Sequence, residues 1–223
     1  MNGYRPLHAW PPNAGLWLPG VAANNVTTPD EAALDITGGI DIRALVKPDT
    51  WTPAATQGVL SKESGSATRS YRIYINTNGS WGATLSGNGS EQVQLNRTPD
   101  GLVDGVRKWM RFTWDSGTAH GAWYSSDDGE AWTQAGETLA LALTGGAIYS
   151  STSPIEIGTR HGGTLDVYKG VIYEAQVRNG IAGTVVANPI FQHPATGWTM
   201  AGTTMYDGSR AWTINGTRWE WRR

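Results

Sequence analysis

The chain has four histidines, His8, His120, His161 and His193, and no cysteine, which limits its chemistry at once. Without Cys there is no thiolate nucleophile, no disulfide framework and no Cys-based zinc site. The histidines lack the i, i+2 or i, i+4 spacing by which one element presents two imidazoles to zinc. No Gly-x-Ser-x-Gly turn presents a serine nucleophile. His161, inside Thr159-Arg160-His161-Gly162-Gly163, reads as a turn side chain rather than a base. Glycoside hydrolysis would need two carboxyls about 5–10 Å apart across a cleft, one of them with a raised pKa. On a sheet that means acids two or four residues apart along one strand face. The acids on the predicted strands are isolated: Asp41 and Glu156 stand alone, and Glu174 has only Asp166 well upstream. A non-enzymatic protein is therefore expected.

Binding chemistry is better represented. Sugar recognition uses an exposed aromatic ring beside amide-rich loops. Trp81, between Asn78-Gly79 and Gly87-Asn88-Gly89, is the first candidate platform, with Asn78 and Asn88 as polar neighbours and Trp123 as the second platform. The burial habit of Trp makes the core the competing, and weightier, reading of both rings. Calcium needs only oxygen ligands gathered by loops, and Asp127, Asp128 and Asp166 lie near predicted turns; no spacing among them is diagnostic. No other cofactor is expected. Ser125-Ser126-Asp127-Asp128-Gly129-Glu130-Ala131-Trp132 resembles the Asp-box hairpin, with Ala131 at the usual Thr position. In such a turn the Asp accepts backbone N–H groups and Gly takes a positive φ, which is structural work. Five Asn-x-Ser/Thr triplets begin at Asn25, Asn78, Asn88, Asn96 and Asn215. Three of them are Asn-Gly, which favours a turn reading over a glycosylation one.

These residues sit in a chain patterned for strands. Ile40, Ile42, Ala44 and Val46 alternate with Asp41, Arg43 and Leu45, close to the period of a half-buried strand. Gln57 to Glu63 and Tyr71 to Ile75 read as further strands, and Asn76-Thr77-Asn78-Gly79 as a hairpin turn into Ser80 to Leu85. Lys108 to Asp115, Gly121 to Ser125, Trp132 to Gln134 and Ile155 to Thr159 follow. Leu165 to Arg178 reads as one long strand with a bend at Gly170. The tail from Trp198 to Trp221 turns at Asp207-Gly208, and only Pro29 to Asp35 suggests a helical turn. About a dozen short strands of this kind predict a two-sheet antiparallel sandwich. No repeat near 40 to 50 residues suggests a propeller. The predicted organisation is an extended docking arm over 1–15, a β-sandwich over 16–190 and a Trp-rich β tail over 191–223 packed on it.

Composition agrees. The 223 residues include 29 Gly, 11 Pro, 12 Trp, 8 Tyr and 2 Phe. That is the profile of many turns and an aromatic-rich interior. Seventeen basic and nineteen acidic side chains leave a net charge of −2, without the basic field that nucleic acid requires. No apolar run is long enough for a membrane helix, and Met1 to Gly20, broken by Pro6, Pro11 and Pro12, shows no secretory signal pattern.

Gln57-Gly58-Val59-Leu60-Ser61-Lys62, the Tyr71-to-Leu85 hairpin, Trp109 to Asp115 and Tyr168-Lys169-Gly170-Val171-Ile172-Tyr173 occur in an order that resembles the laminin G-like, concanavalin A-like jelly-roll family. The Glu-x-Asp-x-x-Glu motif of that family's glucanases is absent. Tyr206 to Gly216 resembles an Asp-x-x-Gly-x-x-Trp-x-Leu-x-Gly ending of tailed-bacteriophage virion proteins, with Gly208 directly after Asp207. The resemblance implies a jelly-roll sandwich and a virion surface protein, a minor tail or capsid-decorating component assembled in the host cytoplasm. Its partners would be other virion proteins, further copies of itself on the particle and host-surface polysaccharide. The arm, through Tyr4, Arg5, Trp10 and Trp17, would dock it. The alternative is a free-standing carbohydrate-binding lectin module, and the third reading a glycan hydrolase or lyase with an unrecognised site.

Overall fold

The structure is a computed structural model that describes residues 14–192, 200–201, 204–207, 210–216 and 220–222. Its strands are β1 (Gly15–Pro19), β2 (Val26–Thr28), β3 (Ile40–Pro48), β4 (Gln57–Lys62), β5 (Tyr71–Ile75), β6 (Trp81–Leu85), β7 (Val93–Arg97), β8 (Lys108–Asp115) and β9 (His120–Ser126). They continue as β10 (Thr133–Gln134), β11 (Leu139–Ala140), β12 (Ile155–Ile157), β13 (Lys169–Asn179), β14 (Thr184–Ala187), β15 (Met200–Ala201), β16 (Thr204–Asp207), β17 (Arg210–Ile214) and β18 (Glu220–Arg222). The first sheet runs β10-β9-β8-β3-β13-β1-β18, with β11 on β9 and β14 on β13. The second runs β15-β16-β17-β2-β12-β4-β5-β6-β7. Every neighbouring pair is antiparallel, and the two sheets form a jelly-roll sandwich, as the alternating sequence predicts. The expected helical turn is a single 3-10 turn, Ala32–Leu34. Among the described residues no helix is long and apolar enough to cross a membrane.

One parity of each strand fills the space between the sheets. Ile40, Ile42, Ala44 and Val46 of β3 and Met110, Phe112 and Trp114 of β8 face Leu60, Ile73, Ile75, Trp81, Ala83 and Leu95 from the second sheet, all buried. An aromatic stack bridges the layers: Trp51 lies 6.0 Å from Trp81, Trp81 5.7 Å from Trp123, and Trp123 5.4 Å from Phe112. Both predicted platforms, Trp81 and Trp123, are thus fully enclosed. The correction has a simple cause: each falls on the inward parity of its strand, where a large ring removes the most apolar surface from water. Lys62 of β4 is also enclosed, its ammonium held by Asp30 at 2.6 Å, Asp35 at 3.3 Å and the Ser151 and Ser153 carbonyls.

Two further expectations are corrected. Trp17 is no arm residue but part of β1, paired with Val171 of β13, and the Arg222 guanidinium covers its ring at 3.5 Å. Tyr4, Arg5 and Trp10 lie outside the described residues, as do Trp198, Gly208 and Trp219. The long late strand begins only at Lys169, and its irregularity is a bulge at Tyr173 rather than a bend at Gly170. Gly170 instead permits close approach, because a Cβ there would stand 2.5 Å from the Lys47 carbonyl oxygen. In the tail, β16 and β17 form a hairpin, and β17 extends the second sheet by pairing with β2.

Candidate functional site

The outward parity of the second sheet is polar from β17 to β7. Register places Thr213, Thr27, Glu156, Ser61, Arg72, Thr84 and Gln94 in one row across β17, β2, β12, β4, β5, β6 and β7. The loop from Gly158 to Tyr168 packs against this face, with the Asp166 and Thr159 backbone over Gly58. Gly58 donates its N–H to the Asp166 carbonyl at 2.6 Å, which fastens the loop to β4. Gly158, His161, Gly162, Gly163 and Asp166 all have positive φ. For His161 and Asp166 that conformation is costly and is held by the contacts around them.

Those contacts form an ionic lattice. Arg72 reaches Asp166 at 3.1 Å and Glu63 at 3.6 Å, and Arg160 reaches Asp166 at 2.6 Å and Glu63 at 3.2 Å. Glu63 is also 3.4 Å from the His161 ring. Burial, and then the Arg160 charge, lower the His161 pKa below its ordinary value. Glu156 accepts the Gly162 and Gly163 N–H groups at 2.7 and 2.8 Å and the Thr159 hydroxyl at 2.9 Å. Glu156 stands alone along the sequence and Asp166 lies near only Glu174; the fold brings both onto one face with Glu63. Glu63 and Asp166 share two guanidinium partners and Glu156 is held by loop donors, so the three carboxylates fasten the loop to the sheet.

Beyond the lattice the face opens. The Arg72 guanidinium stacks 4.6 Å above Tyr74, whose ring lies over Gly82: a Cβ at Gly82 would stand 2.2 Å from it. The Tyr74 hydroxyl donates to Asn96 Oδ1 at 3.4 Å, and Asn76 Nδ2 donates to the same oxygen at 3.1 Å. Here, where the outer face meets the end of the sandwich, Asn76, Thr77, Asn78, Ser80 and Asn96 line a concavity of about 320 Å³. Asn78 Oδ1 accepts from the Ser80 N–H at 3.1 Å and the Ser80 hydroxyl at 2.7 Å, which fixes the turn. The amide N–H groups of Asn78 and Asn96 have no bond among the described residues and are available as donors.

Asn78 also lines a second concavity of about 530 Å³ with Trp51, Thr52 and the 98–104 loop. That loop is pinned by Asp104, which accepts the Trp51 N–H at 2.8 Å, and by the Val103 carbonyl, which accepts the Trp51 indole N–H at 3.1 Å. Thr98 and Asp100 in turn belong to a third concavity of about 350 Å³, bounded by Lys108 and the Ser125 to Ala131 turn.

Of the sequence-predicted site residues, Asn78 lines the first and second concavities, and Asp127 and Asp128 line the third. Asn88 caps the β6–β7 turn at the opposite end of β6, accepting the Ser90 and Glu91 N–H groups. The three calcium candidates do not converge. Asp127 pairs with Lys108 at 2.5 Å, and Asp166 belongs to the lattice. Asp128 accepts the Glu130 and Ala131 N–H groups, which lower its pKa, so the Asp-box acts as a hairpin. Among the described residues no three His, Asp or Glu side chains gather as a metal site. In the sequence Asn96 stands out only as the start of an Asn-x-Ser/Thr triplet, and Thr77, Arg72 and Tyr74 only as strand or turn residues. The alternation of Val93-Gln94-Leu95-Asn96 is the signal that would have placed Asn96 outward on a strand.

No protein-family model matches the chain, and no curated protein matches it in sequence. Solved structures do match in fold. A "putative carbohydrate binding protein" from Bacteroides ovatus superposes with a TM-score of 0.62 at 14% identity, over 94% of this chain and 60% of the other. The heptameric SAP-like pentraxin of Limulus polyphemus gives 0.53 at 16% identity, over 75% of this chain and 76% of the other. This chain therefore spans about three fifths of the length of the Bacteroides protein. At such identities the likeness establishes the fold alone: a two-sheet antiparallel jelly-roll sandwich.

Proposed function

We propose that this chain is a non-catalytic, lectin-like carbohydrate-binding module whose ligand surface is the groove beside the β5–β6 turn. The observation that carries the reading is the concavity lined by Asn76, Thr77, Asn78, Ser80 and Asn96, with two amide donors uncommitted. Sugar hydroxyls are met by just such neutral amide and hydroxyl groups on a rigid scaffold. The Bacteroides neighbour, described as carbohydrate binding, supports this direction. Binding without catalysis is supported by the carboxylates of the outer face, which are held in ion pairs and loop hydrogen bonds.

Neither neighbour is a virion protein, so the virion-surface role implied by the resemblance has no support from them, and the lectin alternative takes precedence. The test is a glycan array followed by calorimetry on wild type and Asn96→Ala. Asn96 is exposed, so the variant should keep its melting temperature while losing about tenfold or more in affinity, the weight of one lost donor pair. Unchanged affinity in the variant would remove the groove from the reading.

A further inference from the structure

The three concavities are joined, and their chemistry changes along the line. Asn78 belongs to the first and the second, and Thr98 and Asp100 to the second and the third. All of them lie at the end of the sandwich where Ile75, Arg97, Pro48, Lys108 and Ser126 finish or start their strands. The first stretch carries no charge. The second and third carry Asp100, Asp104, Asp127 and Asp128 against the single Lys108. Three of those carboxylates are engaged: Asp104 by the Trp51 N–H, Asp127 by Lys108 and Asp128 by its own turn. Asp100 has no hydrogen bond or ion pair among the described residues, and it stands at the junction of the second and third concavities.

From this we infer that the groove takes the interior of a linear, uncharged oligosaccharide laid across three subsites, with Asp100 receiving hydroxyls at the centre. A free carboxylate accepts from two neighbouring hydroxyls in charge-assisted bonds. The same charge, with the acidic lining beside it, turns away uronate- or sulfate-bearing chains. A pocket for one terminal sugar would close at one concavity; this surface continues past it in both directions from Trp51 and Thr52.

The inference rests on the carbohydrate-binding reading, and calorimetry can separate the two. The probes are neutral gluco-, galacto-, manno- and xylo-oligosaccharides of one to eight sugars, with matched uronic acid oligomers. Affinity for the recognised neutral series should climb by at least about tenfold from monosaccharide to hexasaccharide, as successive subsites fill. The uronate oligomers should bind at least about tenfold more weakly. Thr98→Trp, at an exposed position on the junction, should reduce hexasaccharide affinity to that of a disaccharide, a larger loss than any for the monosaccharide. Asp100→Asn should narrow the gap between neutral and uronate oligomers. Affinity independent of length, or equal loss for short and long ligands in Thr98→Trp, would overturn the extended groove while leaving a lectin. Absence of binding to any neutral or acidic glycan would overturn both.

Discussion

Trp81 and Trp123 meet edge to face in the middle of the sandwich, 5.7 Å between ring centroids at an interplanar angle of 65°. They come from different sheets, so the pair couples the two layers. The Trp123 indole N–H donates to the Leu95 carbonyl at 3.1 Å, whereas the Trp81 indole N–H is buried without a partner among the described residues. Trp81→Ala should cost about 3–5 kcal/mol of stability, the usual range for removing a buried large aromatic. Trp81→Phe should cost clearly less, because it removes an unsatisfied donor along with part of the ring. Urea melts of the two variants check this, and a wild-type midpoint in Trp81→Ala would contradict the buried stack.

The second prediction concerns the lattice. Asp166→Ala removes the carboxylate that joins Arg72 to Arg160 and leaves Glu63 alone with both guanidinium groups. A loss of about 1–3 kcal/mol is expected, and it should largely survive high salt because the pairs are mostly shielded from solvent. Hydrogen exchange should speed up first in residues 158–168, the segment fastened by Asp166. Equal acceleration throughout the second sheet would show that the lattice holds more than the loop.

Glu174 sets a pH dependence. It lies half-buried on the first sheet with no ion pair among the described residues, and burial pushes its carboxyl up to about 7. The folded chain therefore keeps a proton that the unfolded chain releases near pH 4.5. Stability falls as pH rises between those values, because the folded form must then hold a desolvated charge. Glu174→Gln should stabilise the protein at pH 8 by on the order of 2 kcal/mol and change little at pH 4. Thermal melts of both proteins at the two pH values decide; equal shifts at both would show that the proton is not responsible.

The floor of the groove depends on a missing side chain. Gly82→Ala would place a Cβ 2.2 Å from the Tyr74 ring and 2.7 Å from Asn96 Oδ1, so both must move. Overpacking of this kind costs about 1–3 kcal/mol. Glycan affinity should fall alongside stability here, in contrast to Asn96→Ala, where stability is retained. Retained affinity in Gly82→Ala would show that Tyr74 and Asn96 need not hold their positions.

The strands of the core were legible because period-two alternation is a local signal. Ile40 to Pro48, Tyr71 to Ile75 and Lys108 to Asp115 read directly from their neighbours, as did the Asn78-Gly79 and Asp128-Gly129 turns. A strand as short as Val26–Thr28 carries too few apolar positions for that signal and forms because the strands on either side offer hydrogen bonds.

Residue type alone could not assign the functional face. Trp81 and Asn78 are three residues apart, yet one is sealed in the core and the other lines the groove. Trp81 falls on the inward parity of β6 while Asn78 lies in the turn before it, and the sequence indicated the parity without stating which side the partner sheet would cover. The meeting of Arg72 with Asp166, ninety-four residues apart, and of Asn78 with Thr98 and Trp51, follows from sheet order and loop pinning. The sequence by itself determined an all-β sandwich with tight turns and a neutral, cysteine-free chemistry. Which polar residues share a surface was decided only by the tertiary structure, because hydrophobic patterning acts along the chain while a binding surface is assembled across it.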